Sequence, residues 1–197
     1  YPRPMPGSST THYEFYDGAV VPSVVQPVVY NRSHTIKAEI TVPKGGAEGV
    51  IVASGANTGG YSLFVKDKKL HFTYNYLTRK FHRFVADDEL PEGDLTILYE
   101  FEVTGKSDPS KGNGAPGTGT LYVHDKKIGS LGMDVTVPFL FSIEGLSVGH
   151  DYGDSVDHQN YSPPYFFTGT VKKVTYDLSG DAIHNAEAET RRGMANQ

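Results

Sequence analysis

Between about residue 11 and residue 178 the chain alternates apolar and polar side chains with period two. Residues 33–42 place His34, Ile36, Ala38, Ile40 and Val42 on one face and Thr35, Lys37, Glu39 and Thr41 on the other. Residues 95–104 repeat the pattern, with Leu95, Ile97, Tyr99, Phe101 and Val103 against Thr96, Glu100, Glu102 and Thr104. Such alternation marks a strand with one face in a core and the other in water. It predicts further strands at 12–16, 50–54, 61–66, 70–76, 81–85, 118–124, 146–149 and 170–178. Phe72, Tyr74 and Tyr76 share one face of their strand, so core packing is expected of them before any role as a ligand platform.

The breaks between these runs carry turn chemistry: Pro43-Lys44-Gly45-Gly46, Asp67-Lys68-Lys69, Pro91-Glu92-Gly93-Asp94 and Asp125-Lys126-Lys127. Many short strands without an intervening helical pattern point to a two-sheet sandwich or a barrel. Whole strand faces that are polar favour the sandwich, whose outer faces meet solvent. Residues 1–10 read as an extended lead-in or linker, 11–179 as the β-sandwich domain, and 180–197 as a surface helix or flexible tail. The stretch 106–119, rich in Gly, Ser and Pro, is expected to be a long mobile loop.

Composition narrows the function more than the fold. The 197 residues suit one large β-domain, and the start at Tyr1 rather than Met is expected of a chain cut from a longer one. With 23 acids against 18 bases the formal net charge is -5, a balance that argues against nucleic acid or an anionic membrane as main partner. The absence of Cys removes disulfides, thiolate metal sites and Cys nucleophiles, and leaves the compartment open. No apolar run approaches the roughly 18 residues of a membrane-spanning helix.

The stretch Gly59-Gly60-Tyr61-Ser62-Leu63-Phe64-Val65-Lys66-Asp67-Lys68-Lys69-Leu70-His71-Phe72-Thr73-Tyr74-Asn75-Tyr76 resembles paired strands of the concanavalin A-like (laminin G-like) jelly roll, and more narrowly the C-terminal domain of bacterial arylsulfatase-like proteins. The stretches 31–38, 46–53, 98–101 and 167–174, and Val148-Gly149 followed by Asp151, match the same domain in the same order. The resemblance implies an all-β, two-sheet antiparallel jelly-roll sandwich with a short C-terminal helical tail. It further implies a non-catalytic accessory domain that packs on a sulfatase catalytic domain N-terminal to Tyr1, shaping its cleft or supporting oligomers. The catalytic domain would carry the formylglycine motif Cys/Ser-x-Pro-x-Arg and a divalent metal, in a protein that is secreted or periplasmic. Here only Ser107-Asp108-Pro109-Ser110-Lys111 approaches that motif, with Lys in place of Arg, and a turn is the better reading. The alternative is a carbohydrate-binding module of the same fold, with a glycan as partner. A jelly-roll glycosidase is a second alternative.

Two sets of residues carry candidate chemistry. Glu100 and Glu102 lie two apart on one strand, so their side chains point the same way roughly 7 Å apart, a spacing that suits a two-carboxylate glycosidase. Two solvated acids on an outer face explain them equally, and there is no Trp to stack a sugar. His150-Asp151-Tyr152-Gly153-Asp154-Ser155-Val156-Asp157-His158 is the densest set of metal-ligand types, and Asp151, Asp154 and Asp157 are the candidate Ca²⁺ ligands. Their every-third spacing is unlike an EF-hand loop, and a polar loop of turn formers is the competing reading. The glycosylation patterns Asn31-Arg32-Ser33 and Asn160-Tyr161-Ser162 are discounted.

Overall fold

The computed structural model describes residues 10–139 and 142–179. The expected C-terminal helix, and all of the expected lead-in except Thr10, lie outside these residues. Twelve strands form among the described residues: β1 His12–Phe15, β2 Val20–Val21, β3 His34–Val42, β4 Gly49–Ala56, β5 Gly59–Lys66, β6 Lys69–Tyr76, β7 Lys80–Glu89, β8 Gly93–Val103, β9 Gly117–Val123, β10 Lys126–Met133, β11 Leu146–Val148 and β12 Thr170–Leu178. They make two antiparallel six-stranded sheets, ordered β1-β12-β3-β8-β9-β10 and β2-β11-β4-β5-β6-β7. The chain is an all-β jelly-roll sandwich, as the alternation and the resemblance led one to expect.

The core lies between the sheets. Ile36, Ala38 and Ile40 of β3 and Leu95, Ile97, Tyr99 and Phe101 of β8 face Leu63, Leu70, Phe72 and Tyr74 of the second sheet. The Phe72 and Tyr99 rings stack across the gap with centroids 4.0 Å apart. Phe72, Tyr74 and Tyr76 are all buried, so that face is core. Polar atoms inside find partners: Tyr61 donates its hydroxyl to Tyr176 at 3.0 Å, and the Val137 N–H donates to the Tyr74 oxygen at 2.8 Å. Burial drives the His34 imidazole down to about 4, so it is neutral at physiological pH.

Two strands escape the periodic reading. β2 is only two residues long. β10 begins at Lys126 and Lys127, which the sequence offers as turn chemistry together with Asp125, and no strand is expected beyond them. In β9 and β10, Gly117, Gly119 and Gly129 are there because rings occupy the space a side chain would take. A Cβ on Gly117 would lie 2.3 Å from the Phe101 ring, and one on Gly129 would lie 2.2 Å from the Phe84 ring. The 106–119 loop, expected to be mobile, is tied down instead. Asp108 and Asn113 bridge around a short 3-10 turn, Pro109–Lys111, and Tyr76 donates its hydroxyl to the Gly112 carbonyl at 3.0 Å. Ser110 and Lys111 both bond the Asp108 carboxylate, which makes the sulfatase-like pentapeptide a turn.

The largest departure from a plain sandwich is the outer face of the second sheet. β4 is buried along its whole length and β5 at every residue but its last. Residues 149–168 fold over this face, and Val156, Tyr161 and Tyr165 cover Val50, Ala53 and Phe64 in a second, smaller apolar cluster. Among the described residues the outer face of the first sheet has no such cover and displays Thr35, Lys37, Leu98, Glu100, Thr120 and Tyr122 in register.

Candidate functional site

The covering loop contains the cluster of ligand-type residues that stands out in the sequence. It leaves β11 at Gly149, whose φ is +80° and whose absent Cβ would strike the Asp17 carboxylate 2.0 Å away, so only glycine fits there. Ser147 then staples the next turn: its hydroxyl donates to the His150 carbonyl at 2.8 Å and accepts from the Tyr152 N–H at 3.2 Å. The chain turns again at Gly153, against the Glu144 carboxylate, which accepts the Asp154 N–H at 3.1 Å. The far end is fixed to the sheet edge: Val50 bridges Phe166, the Val50 N–H donates to the Tyr165 carbonyl, and the Phe167 N–H donates to the Gly149 carbonyl.

Beneath this backbone lies a closed polar network. Asp151, buried, accepts the Tyr161 hydroxyl at 2.5 Å and the Val156 N–H at 3.1 Å, and Tyr161 also bonds Ser62 of β5 at 2.9 Å. Burial, helped by Glu144 and Asp154 nearby, pushes the Asp151 carboxyl up to about 6 against the pull of its two hydrogen bonds. Asp157 is buried as well. Its burial is outweighed by hydrogen bonds from Arg83, Thr73 and Asn160, which hold its carboxyl below the usual range. Arg83 grips it with both Nε (2.9 Å) and Nη2 (2.8 Å). Both aspartates act as internal anchors of the loop, and only Asp154 faces solvent. The three carboxylates therefore look to different partners, and no group of three or more His, Asp or Glu suited to a metal ion forms among the described residues.

Glu100 and Glu102 sit on the opposite side of the sandwich, exposed on the outer face of the first sheet. Their cross-strand neighbours are Thr35 and Thr120 for Glu100 and Thr118 for Glu102. The structure thus keeps the two sets of candidate residues on different faces. Asn31 and Asn160 of the glycosylation patterns both spend their side-chain amides on internal hydrogen bonds, to the Pro138 carbonyl and the Asp157 carboxylate.

What the fold does assemble is a row of rings on the rim of the covering loop. His150 packs at 5.5 Å from Phe166 with a 30° tilt and at 6.5 Å from Tyr152, edge-on. Tyr152 is 63% exposed and Phe166 64%, on backbone pinned at both ends. Beside them, on the edge strand β2, Val20 is half exposed and pairs with Ser147, the residue that staples the Tyr152 turn. Sequence reasoning did not single out Phe166. The signal was the aromatic run Tyr165-Phe166-Phe167 after two prolines, since alternate residues of an extended segment cannot all face inward.

A narrow cavity of about 20 Å³ between the sheets, lined by His34, Tyr61, Tyr74 and Tyr99 among others, has room for a water molecule and no more. A shallow open depression where β7 meets β10 is flanked by Lys80 and Asp134, which neutralise each other at 2.7 Å. No helix among the described residues is long and apolar enough to cross a membrane.

No protein-family model and no curated protein sequence matches the chain. In three dimensions it is similar to the CBM40 module of the Ruminococcus gnavus IT-sialidase, at 9% identity and TM-score 0.52 over 86% of this chain and 94% of that one. The same module bound to alpha2,6 sialyllactose gives 8% identity and TM-score 0.51 over 86% and 94%. Domains LG4-5 of the mouse laminin alpha1 chain give 13% identity and TM-score 0.53 over 91% of this chain but only 44% of that one. At such identities the likeness carries the fold alone. That fold is the jelly roll of laminin G-like domains.

Proposed function

We propose that the chain is a non-catalytic carbohydrate-binding module and that the rim of His150, Tyr152 and Phe166 is its glycan-stacking surface. The observation that carries the reading is two aromatic side chains held more than half exposed on a backbone that hydrogen bonds fix at both ends. Exposed rings on rigid supports offer apolar area at small entropic cost, which suits the weakly polar face of a pyranose. The cavity between the sheets has room for a water molecule and no more, which favours binding on the surface. The decisive experiment titrates a panel of oligosaccharides into the protein and into Tyr152→Ala/Phe166→Ala. Saturable binding that the double variant loses, with its melting temperature kept, supports the reading; no binding by the native protein sinks it.

A second reading follows from a separate observation. Ile143 is 89% exposed and Val24 80%, with Val25 and Phe139 also open, and Gly145 lies against the Val21 and Pro22 backbone. Exposed apolar side chains of this kind suit an accessory domain docked on a larger enzyme, and the arylsulfatase-like resemblance would make that enzyme a sulfatase. Such a domain would bind no free glycan. Ile143→Asp would then disrupt its assembly with the catalytic domain, whereas a free-standing module would tolerate the change.

A further inference from the structure

We infer that the aromatic rim selects saccharides bearing a protonated amine and rejects anionic ones; the inference rests on the glycan-binding reading above. Three carboxylates border the backbone that carries the rings. Asp17 lies against Gly149, immediately before His150. Glu144 and Asp154 lie at the Gly153 turn, immediately after Tyr152. Among the described residues no Lys or Arg comes within ion-pair distance of any of the three. Residues 142–169 contain Glu144, Asp151, Asp154 and Asp157 and not one Lys or Arg. The nearby cations are committed elsewhere: Arg83 to Asp157, and Lys66 to the Asn160 carbonyl at 2.8 Å.

A sugar stacked on Tyr152 or Phe166 therefore sits in a field of fixed negative charge. An ammonium there gains twice, from the carboxylates and from the negative faces of the rings. A sugar carboxylate meets repulsion with no guanidinium among the described residues to receive it, in a place where recognition of anions by Arg is the usual solution. The neighbour whose complex contains alpha2,6 sialyllactose shares the fold at 8% identity. The charge around this rim speaks against the same ligand here.

The test compares three probes on the native protein: a glucosamine tetramer below the pKa of its amines, the N-acetylglucosamine tetramer, and sialyllactose. The expected result is binding of the amine form about tenfold or more tighter than its acetylated counterpart, with the advantage shrinking at high salt. In Asp17→Asn/Glu144→Gln/Asp154→Asn, whose amides keep the shape and the acceptor atoms, the ratio of the two affinities should fall to near one. Equal affinity for both tetramers, a preference that survives in the triple variant, or sialyllactose binding as tightly as the acetylated tetramer overturns the inference while leaving glycan binding intact. Failure of every saccharide to bind removes the glycan reading itself, and this inference with it.

Discussion

Single side chains in the covering loop decide whether the rim exists at all, and Asp151 is the most informative of them. Its carboxyl is buried beneath the rim and raised to about 6, above its ordinary value of 3.8. The folded protein therefore holds this proton more tightly than the unfolded chain. The contribution to stability is complete below about pH 4 and is lost as pH rises through about 6, to the extent of about 3 kcal/mol. Asp151→Asn keeps an acceptor for Tyr161 and Val156 and cannot ionise. Melting curves across pH should show the variant more stable than the native protein at pH 7–8, with the difference vanishing toward pH 4. A difference that stays constant with pH would mean that Asp151 does not titrate between these limits. Asp157 has the opposite sign: its lowered carboxyl adds stability that is lost only as the pH falls below the ordinary carboxylate range.

At the scale of elements, period-two alternation was enough to place ten strands, because one-sided burial imposes it directly on side-chain chemistry. β3 and β8 are the clearest cases, and their apolar sets all turn inward. Phe101→Ala should therefore cost about 3–5 kcal/mol, since the ring packs on His34 and fills the space left by Gly117. Glu100→Ala, on the open face, should change stability by about 0.5 kcal/mol or less. Urea melts of the two variants check the orientation of the whole strand, for a register slipped by one residue would reverse their order. What alternation could not show was anything fixed by a non-neighbour. β10 was hidden because Gly129 answers to the Phe84 ring on β7 rather than to a turn. The hairpin at Leu77-Thr78 was hidden too, since both residues adopt φ above +50° without the Asn or Gly that usually marks such a turn. The candidate site fared likewise: the loop was conspicuous by composition, yet its exposed rings emerge only once Asp151 and Asp157 are seen to be anchors.

As a whole molecule, the sandwich is closed by its own contacts. With no convergent set of metal-ligating side chains among the described residues, a chelator or added Ca²⁺ should move the melting temperature by about 1 °C or less. A larger Ca²⁺-dependent rise that Asp154→Asn abolishes would assign the ion to the rim. One arrangement has a mechanical consequence. β1 lies antiparallel beside β12, with His12 opposite Asp177 and Phe15 opposite Val174. Force applied through the chain on either side of the sandwich would enter at His12 and Leu178, at the same end of this pair. It would part the rungs one after another instead of shearing them together. The domain would then yield to tension by peeling its first strand at modest force, while the β3–β8 centre and the rim on the opposite sheet stayed folded.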